Sequence, residues 1–212
     1  LVPRKHRYVI EERTDINGSI IKPINAKKFQ NLVDTIKKEK FESIGIGFLH
    51  SYANSKNEND LKEFLLKHLP DLEVSVSSDV CPEIREYERF TTTVVNSYIK
   101  PLMSRYLKKL ESELKQKGFN CPLLLMTSGG TLTNVTSACN NPVRLVESGP
   151  AGGAILATSI AEDLKLDKVI SFDMGGTTAK ITIIENQKAI KAREFEVDRK
   201  ARFKKGSGLP LR

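Results

Sequence analysis

Two short apolar segments separated by a pair of glycines constrain the fold of this chain more than any other sequence feature. Residues 168–172 and 180–184 have the length and β-branched content of strands, and Asp-Met-Gly-Gly-Thr-Thr at 173–178 separates them. A glycine-containing turn between two such segments predicts an antiparallel hairpin. The glycine-rich motifs of dinucleotide-binding folds and P-loops lead instead from a strand into a helix. The sequence therefore favours a strand–turn–strand unit over both of those folds.

The residue types in this turn suit a phosphate group. Gly175 and Gly176 have no side chain, so backbone N–H groups can approach an anion and can adopt positive φ. Thr177 and Thr178 add hydroxyl donors, and the Asp173 carboxylate suits hydrated Mg²⁺, which prefers oxygen ligands. An ordinary Gly-Gly hairpin explains the same residues, so spacing alone leaves both interpretations open.

A second glycine-rich segment, Ser-Gly-Pro-Ala-Gly-Gly-Ala at 148–154, opens an apolar helix that we predict to reach about Leu164. The N–H groups at a helix N-terminus can bind an anion. Small residues also let a helix pack closely on a neighbour, and the residues alone favour this alternative. The loop at 128–131 (Ser-Gly-Gly-Thr) is a weaker candidate that would face the same cleft.

The first 80 residues alternate between strand and helix signals. We predict strands at 7–12, 43–49 and 73–77, a turn at 15–18, and helices from a cap at Asn25 and at 57–68. This alternation is typical of an α/β unit with a parallel sheet. A mostly helical segment at 83–117 follows, and Pro101 should interrupt it because proline removes a backbone donor.

Charged residues cluster at the start of that helical segment. Helical spacing would place Arg85 and Arg89 four residues apart on one face, with Glu86 beside them. A solvated helix start explains this cluster. The functional alternative is a contact with substrate or between domains.

Composition excludes several classes of protein. The net charge is +8, but lysines interleave with acidic residues, so we expect a solvated surface and no nucleic-acid partner. No apolar stretch approaches the roughly 20 residues of a membrane-spanning helix. With no secretory signal in the sequence, we expect a cytoplasmic protein without membrane association. The three cysteines form no CxxC pair and predict buried or half-buried free thiols.

Four stretches together resemble the hydantoinase A/5-oxoprolinase family, which also includes subunits of ketone carboxylases. They occur in the family's order and span nearly the whole chain: 13–18, 82–96, 128–130 with 147–153, and 173–178. The resemblance implies an α/β fold of the actin/hexokinase-like (ASKHA) ATPase type, with ATP and Mg²⁺ between two lobes. Residues 1–118 would form the C-terminal part of the family's N-terminal domain. Residues 119–212 would form the start of its ATPase domain.

The same resemblance assigns roles to individual residues. Residues 173–178 match the family's second phosphate hairpin, which implies a catalytic and Mg²⁺-binding Asp173. The implied nucleotide contacts from both glycine-rich segments are Gly175, Gly176, Thr177, Thr178, Ser148, Gly149, Gly152 and Gly153.

The family's chemistry is ATP-dependent opening of a cyclic amide such as hydantoin or 5-oxoproline, with ATP phosphorylating the amide oxygen. It also implies a second, hydantoinase B-type subunit. The family's earlier Asp-x-Gly-Gly-Thr hairpin and its adenosine site are absent here, and Lys180 stands where many members have Asp. We therefore expect this chain to match the middle of a longer subunit and to lack a complete active site alone.

Three alternatives stay open at the level of sequence. The same ATP chemistry can carboxylate a ketone, and nothing in the sequence separates this from ring opening. A non-catalytic binding or assembly module is favoured by the missing first hairpin. A sugar or acetate-type kinase of the same fold is the third alternative.

Overall fold

The computed structural model describes residues 2–25, 29–176, 178–192, 194–201, 204 and 206–212. The chain divides into two compact units, Leu1–Met103 with Glu194–Arg212 and Ser104–Arg193. These boundaries differ from the boundary at 118/119, which concerns the domains of the family and stays a prediction.

The first unit contains the predicted parallel pair of strands. Strands β3 (Ser43–Ile46) and β4 (Glu73–Val76) run parallel, with Ile44 opposite Val74 and Ile46 opposite Val76. Helix α2 (Lys56–His68) connects them, which confirms the α/β unit. Strand β3 ends earlier than the predicted residue 49. The Phe48 N–H donates to the Glu58 carboxylate at 2.9 Å instead of to a neighbouring strand.

Helices α1 (Gln30–Glu39) and α2 share one hydrophobic core with this pair of strands. The predicted first helix is confirmed, and it buries Val33 and Ile36. The predicted cap at Asn25 is wrong, since the N-cap position is Phe29, which makes no side-chain capping bond. Residues 26–28 lie outside the described part of the chain. The buried core residues are Phe29, Val33, Ile36, Ile46, Leu61, Leu65, Leu72, Val74 and Val76.

Two glycines in and after strand β3 allow helix α4 (Glu86–Gln116) to pack closely on it. A Cβ at Gly45 would lie 2.9 Å from the Ser97 hydroxyl, and one at Gly47 would lie 2.5 Å from the Phe90 ring. The alternation of isoleucine with glycine in this strand is therefore a packing requirement.

Helix α4 runs without interruption through Pro101, so the predicted break is wrong. A proline removes only one of the backbone hydrogen bonds, and a helix of 31 residues keeps many others. Val95 and Leu107, on either side of Pro101, are both buried. The short helix α3 (Ser77–Val80) precedes it.

The predicted strand at 7–12 is also wrong. The described strands nearest to it are β1 (Arg13–Thr14) and β2 (Ile20–Lys22), which pair antiparallel around the predicted turn. Asp15 fixes this turn by accepting hydrogen bonds from the N–H groups of Asn17 at 2.9 Å and Ser19 at 2.7 Å. Gly18 has a φ of +84°, which explains glycine at that position.

The first strands described in the second unit are β5 (Leu124–Met126) and β6 (Leu132–Asn134), which pair antiparallel. Helix α5 (Val135–Asn140) follows, and the Asn134 side chain caps it. Helix α6 (Ser148–Asp163) confirms the predicted apolar helix. Strand β6 and helix α5 were not expected from the sequence.

The predicted hairpin is confirmed in the second unit. Strand β7 (Lys168–Met174) pairs antiparallel with β8 (Ala179–Glu185), and β9 (Lys188–Ala189) continues the sheet. One face of the hairpin packs toward α6 and includes the buried Ile184. The opposite face exposes large apolar side chains, namely Ile170, Phe172, Met174, Ile181 and Ile183. Strands β10 (Phe195–Val197) and β11 (Leu209–Leu211) return to the first unit.

Cys81 and Cys139 are buried, as predicted, whereas Cys121 is exposed and departs from that prediction. Among the helices that the structure describes, none combines the length and the apolar character that crossing a membrane requires.

Candidate functional site

The tip of the β7–β8 hairpin holds the residues singled out by sequence. Asp173 lies directly opposite Lys180, and Met174 lies opposite Ala179. The Gly175 N–H then donates to the Thr178 carbonyl oxygen at 2.9 Å and closes the turn. Thr177 lies outside the described residues.

The two glycines of the turn leave its surface open. A Cβ at Gly176 would meet no described atom within 4 Å, and a Cβ at Gly175 would meet only the Thr178 carbonyl oxygen at 4.0 Å. Neither glycine has a φ in the left-handed region, contrary to the expectation of positive φ. Glycine is therefore not required here by backbone conformation. The property that it provides is open access to the backbone.

Asp173 is exposed at the end of β7 and is available to a ligand. Within the described ranges, no hydrogen bond or ion pair engages its carboxylate. The described residues also contain no group of three or more His, Cys, Asp or Glu side chains that could hold a metal. The role of Asp173 as a Mg²⁺ ligand stays a prediction.

The glycine-rich start of α6 is open as well. A Cβ at Gly149, Gly152 or Gly153 would meet no described atom within 4 Å outside the helix's own backbone. Close packing of these glycines on a neighbour was the favoured alternative from sequence, and the described part of the chain does not show it. Ser148 is the first residue of the helix, and Glu147 before it has a φ of +65°.

A contact between charged side chains joins the hairpin to the start of α6. The Lys180 ammonium, which is on the strand after the turn, donates to the Glu147 carboxylate. The 128–131 loop also adjoins this helix, because a Cβ at Gly130 would lie 3.0 Å from Ile155 Cδ1. The structure thus brings all three glycine-rich segments around one helix, within a single compact unit.

A buried polar network in the first unit was missed by sequence reasoning. Glu58 is fully buried, and one carboxylate oxygen accepts from the Phe48 N–H and from the Ser77 hydroxyl at 2.6 Å. Its other oxygen accepts from the N–H and hydroxyl of Ser78 at 2.9 and 2.8 Å. Nothing in the sequence distinguishes Glu58 from the other acidic residues of its helix.

Arg89 is the cation of this network. It is fully buried, and its guanidinium donates to the Ser77 hydroxyl at 3.1 Å, the Glu83 carbonyl at 2.7 Å and the Phe48 carbonyl at 2.9 Å. Arg85 lies before α4, is exposed and has a φ of +78°, so the prediction that both arginines share a helical face is wrong. The network ties together the carboxyl ends of β3 and β4, and this role is structural.

The amino-acid sequence matches two profiles of one protein family. The profile described as Hydantoinase/oxoprolinase matches residues 89–210. The profile described as Hydantoinase/oxoprolinase N-terminal region matches residues 1–69.

Individual relatives agree with these profiles. An uncharacterized protein of Methanocaldococcus jannaschii is 43% identical over 100% of this chain and 32% of its own length. The caprolactamase alpha subunit of Pseudomonas jessenii is 32% identical over 86% of this chain and 26% of its own. The acetone carboxylase beta subunit of Xanthobacter autotrophicus is 29% identical over 87% and 26%.

Two solved structures have the same α/β fold over most of this chain. The ATP-dependent caprolactamase of Pseudomonas jessenii has a TM-score of 0.78 at 31% identity, covering 86% of this chain and 26% of that one. A nucleotide-free acetone carboxylase has a TM-score of 0.74 at 26% identity, covering 84% and 25%. The present chain spans 26 to 32% of the length of the curated relatives named above.

Proposed function

Because the chain belongs to the hydantoinase/oxoprolinase family, we propose that it is part of an enzyme that uses ATP to open a cyclic amide. The observation that carries the proposal is the open tip of the β7–β8 hairpin, where exposed backbone and the Asp173 carboxylate adjoin each other. Its position beside the equally open glycines of α6 supports the same interpretation.

We assign the fold to the actin/hexokinase-like ATPases, with this chain supplying the end of a first lobe and the start of a second. The confirmed strand–turn–strand unit is the element that supports this assignment. The proposed family domains, 1–118 and 119–212, follow from it.

The residues of the hairpin have separate tasks in the proposed reaction. The Gly175 N–H closes the turn by donating to the Thr178 carbonyl oxygen, so the backbone contact proposed for phosphate oxygens is the Gly176 N–H, together with the Thr178 hydroxyl. Asp173 holds hydrated Mg²⁺. Ser148, Gly149, Gly152 and Gly153 offer a second open surface to the nucleotide, and Thr177 adds a hydroxyl. Bound ATP would supply a phosphoryl group to the amide oxygen, which activates the ring for attack by water. Positioning and charge stabilisation are the protein's contribution to such a transfer.

A second subunit is part of the proposal. The caprolactamase and acetone carboxylase relatives are both named as subunits. We therefore expect a hydantoinase B-type partner, with substrate contacts shared between the two chains.

Carboxylation of a ketone is the second candidate function. It is favoured by the acetone carboxylase beta subunit and by the solved acetone carboxylase, which resemble this chain almost as closely as the caprolactamase does. Both reactions would use the same hairpin, so the phosphate-binding residues do not discriminate between them.

Product analysis of the full-length protein with its partner subunit tests these proposals. ADP release would be followed with hydantoin, 5-oxoproline or caprolactam, and in parallel with acetone or acetophenone plus bicarbonate. Ring opening coupled to ADP release is the expected result, and bicarbonate consumption coupled to ketone would establish the second candidate. A protein that neither binds nor hydrolyses ATP under any of these conditions would overturn both and favour a non-catalytic module.

A further inference from the structure

The Lys180 side chain is placed to act at the tip of the hairpin. Lys180 lies opposite Asp173 in the antiparallel register, one residue pair before the turn. Side chains directly opposite each other in such a pair have Cβ atoms about 5 Å apart on the same face. The ammonium and the Asp173 carboxylate therefore leave the same face, next to the exposed backbone of the turn.

The partner that Lys180 actually contacts is Glu147, although Asp173 is its neighbour across the pair. Glu147 caps the start of α6 in the left-handed region, with a φ of +65°. Its carboxylate therefore links the start of α6 to the strand that carries Lys180. This carboxylate is an anion in contact with the ammonium, as a phosphate oxygen would be.

Exposure shows that this contact can be exchanged. The side chains of Lys180 and Glu147 are 35% and 40% exposed, so water already reaches both charged groups. Such exposed ion pairs contribute little to stability. An ammonium also has three donors and can contact an incoming anion without a large rearrangement.

We propose that Lys180 is a phosphate-contacting residue of this hairpin and that Glu147 is its placeholder, a carboxylate that holds the ammonium in position until nucleotide phosphate replaces it. This inference rests on the proposed ATP-binding function. It adds Lys180 as a cation that contacts phosphate and Glu147 as the anion that competes with phosphate for it. Lysine serves as a point charge for phosphate in other folds as well.

Opposite effects of two substitutions distinguish a placeholder from an ordinary structural ion pair. Lys180→Met removes the cation but keeps a long apolar side chain, so the Kd for Mg·ATP should rise by about tenfold or more. Glu147→Gln removes the competitor and a repulsive charge, so the same Kd should fall by roughly two- to fivefold. If the Lys180–Glu147 ion pair were only structural, each variant would break it. Both variants would then change the Kd in the same direction.

Two further variants complete the experiment. Lys180→Arg keeps the charge and should restore most of the affinity lost in Lys180→Met. Lys168→Met is the matched control, because Lys168 lies on the same hairpin at its far end, opposite Glu185, and its loss should leave the Kd unchanged.

The measurement is titration calorimetry with Mg·ATP on the full-length protein, accompanied by thermal unfolding of each variant. Kd changes of the same sign in Lys180→Met and Glu147→Gln, or no change in Lys180→Met, would overturn the inference while leaving ATP binding intact. Failure of the unsubstituted protein to bind Mg·ATP would overturn the proposed function and this inference together.

Discussion

Glu58 and Arg89 are joined through one hydroxyl group, because Ser77 donates to the Glu58 carboxylate at 2.6 Å and accepts from Arg89 Nε at 3.1 Å. All three residues are fully buried. A buried carboxylate and a buried guanidinium are costly unless their hydrogen bonds are satisfied. Ser77 is therefore the residue through which the two charges compensate each other.

Replacement of Ser77 should reveal this compensation. Ser77→Ala removes the acceptor of Arg89 Nε and one of the two donors to a Glu58 oxygen, so the free energy of unfolding should fall by about 1–3 kcal/mol. Urea denaturation measures the change. Ser19→Ala, at an exposed serine of the same unit, is the control and should stay within about 0.5 kcal/mol. Equal stability of the two variants would contradict a compensating role for Ser77.

Asp173→Ala should abolish Mg·ATP turnover and leave the fold intact. The side chain is exposed at the strand end, so its loss removes the proposed Mg²⁺ ligand without opening a cavity. ADP release and the thermal unfolding temperature would be measured on the full-length protein. Asp167→Ala, at another exposed aspartate next to the same hairpin, should retain turnover. Normal turnover in Asp173→Ala would make the hairpin merely structural.

Gly176→Val should block phosphate approach sterically while costing little stability. Since the φ of Gly176 is not left-handed and its Cβ position is open, a side chain fits the hairpin itself. Gly118→Val is the opposite case, because its φ of +88° makes any side chain strained by about 1–2 kcal/mol. We expect turnover to fall in the first variant and unfolding stability to fall in the second. Loss of stability in both would indicate that Gly176 is needed for the backbone.

A polypeptide limited to residues 1–212 should not turn over ATP. The caprolactamase alpha subunit and the acetone carboxylase beta subunit are about four times longer, since this chain spans 26% of each. The full-length protein should release ADP only when a lactam or ketone is present. Robust ADP release by the 212-residue polypeptide, measured with the same coupled assay, would show that these residues contain a complete site.

The hairpin could be predicted from sequence because its information is local. Two apolar segments and a glycine pair specify two strands and a turn. The structure adds the register and extends the strands to Met174 and back to Ala179. The parallel pair β3–β4 was predictable for the same reason. In both cases the pattern of apolar residues and turn residues that predicts the element lies within the element's own sequence.

Other features depend on contacts distant in sequence. The continuity of α4 through Pro101 depends on packing on both sides of the proline, which no local rule contains. Glu58 and Ser77 are 19 residues apart, and only the parallel pairing of β3 and β4 brings them together. The contact between Lys180 and Glu147 spans 33 residues and likewise has no signature in either segment.

The apolar face of the β7–β8 hairpin has a practical consequence for handling this polypeptide. Ile170, Phe172 and Met174 are 70%, 59% and 71% exposed on neighbouring positions of one sheet face. Contiguous exposed apolar surface of this kind is an aggregation liability in water. Residues 1–212 expressed alone should therefore self-associate as concentration rises, so assays on this polypeptide belong at low concentration, with light scattering to monitor solubility.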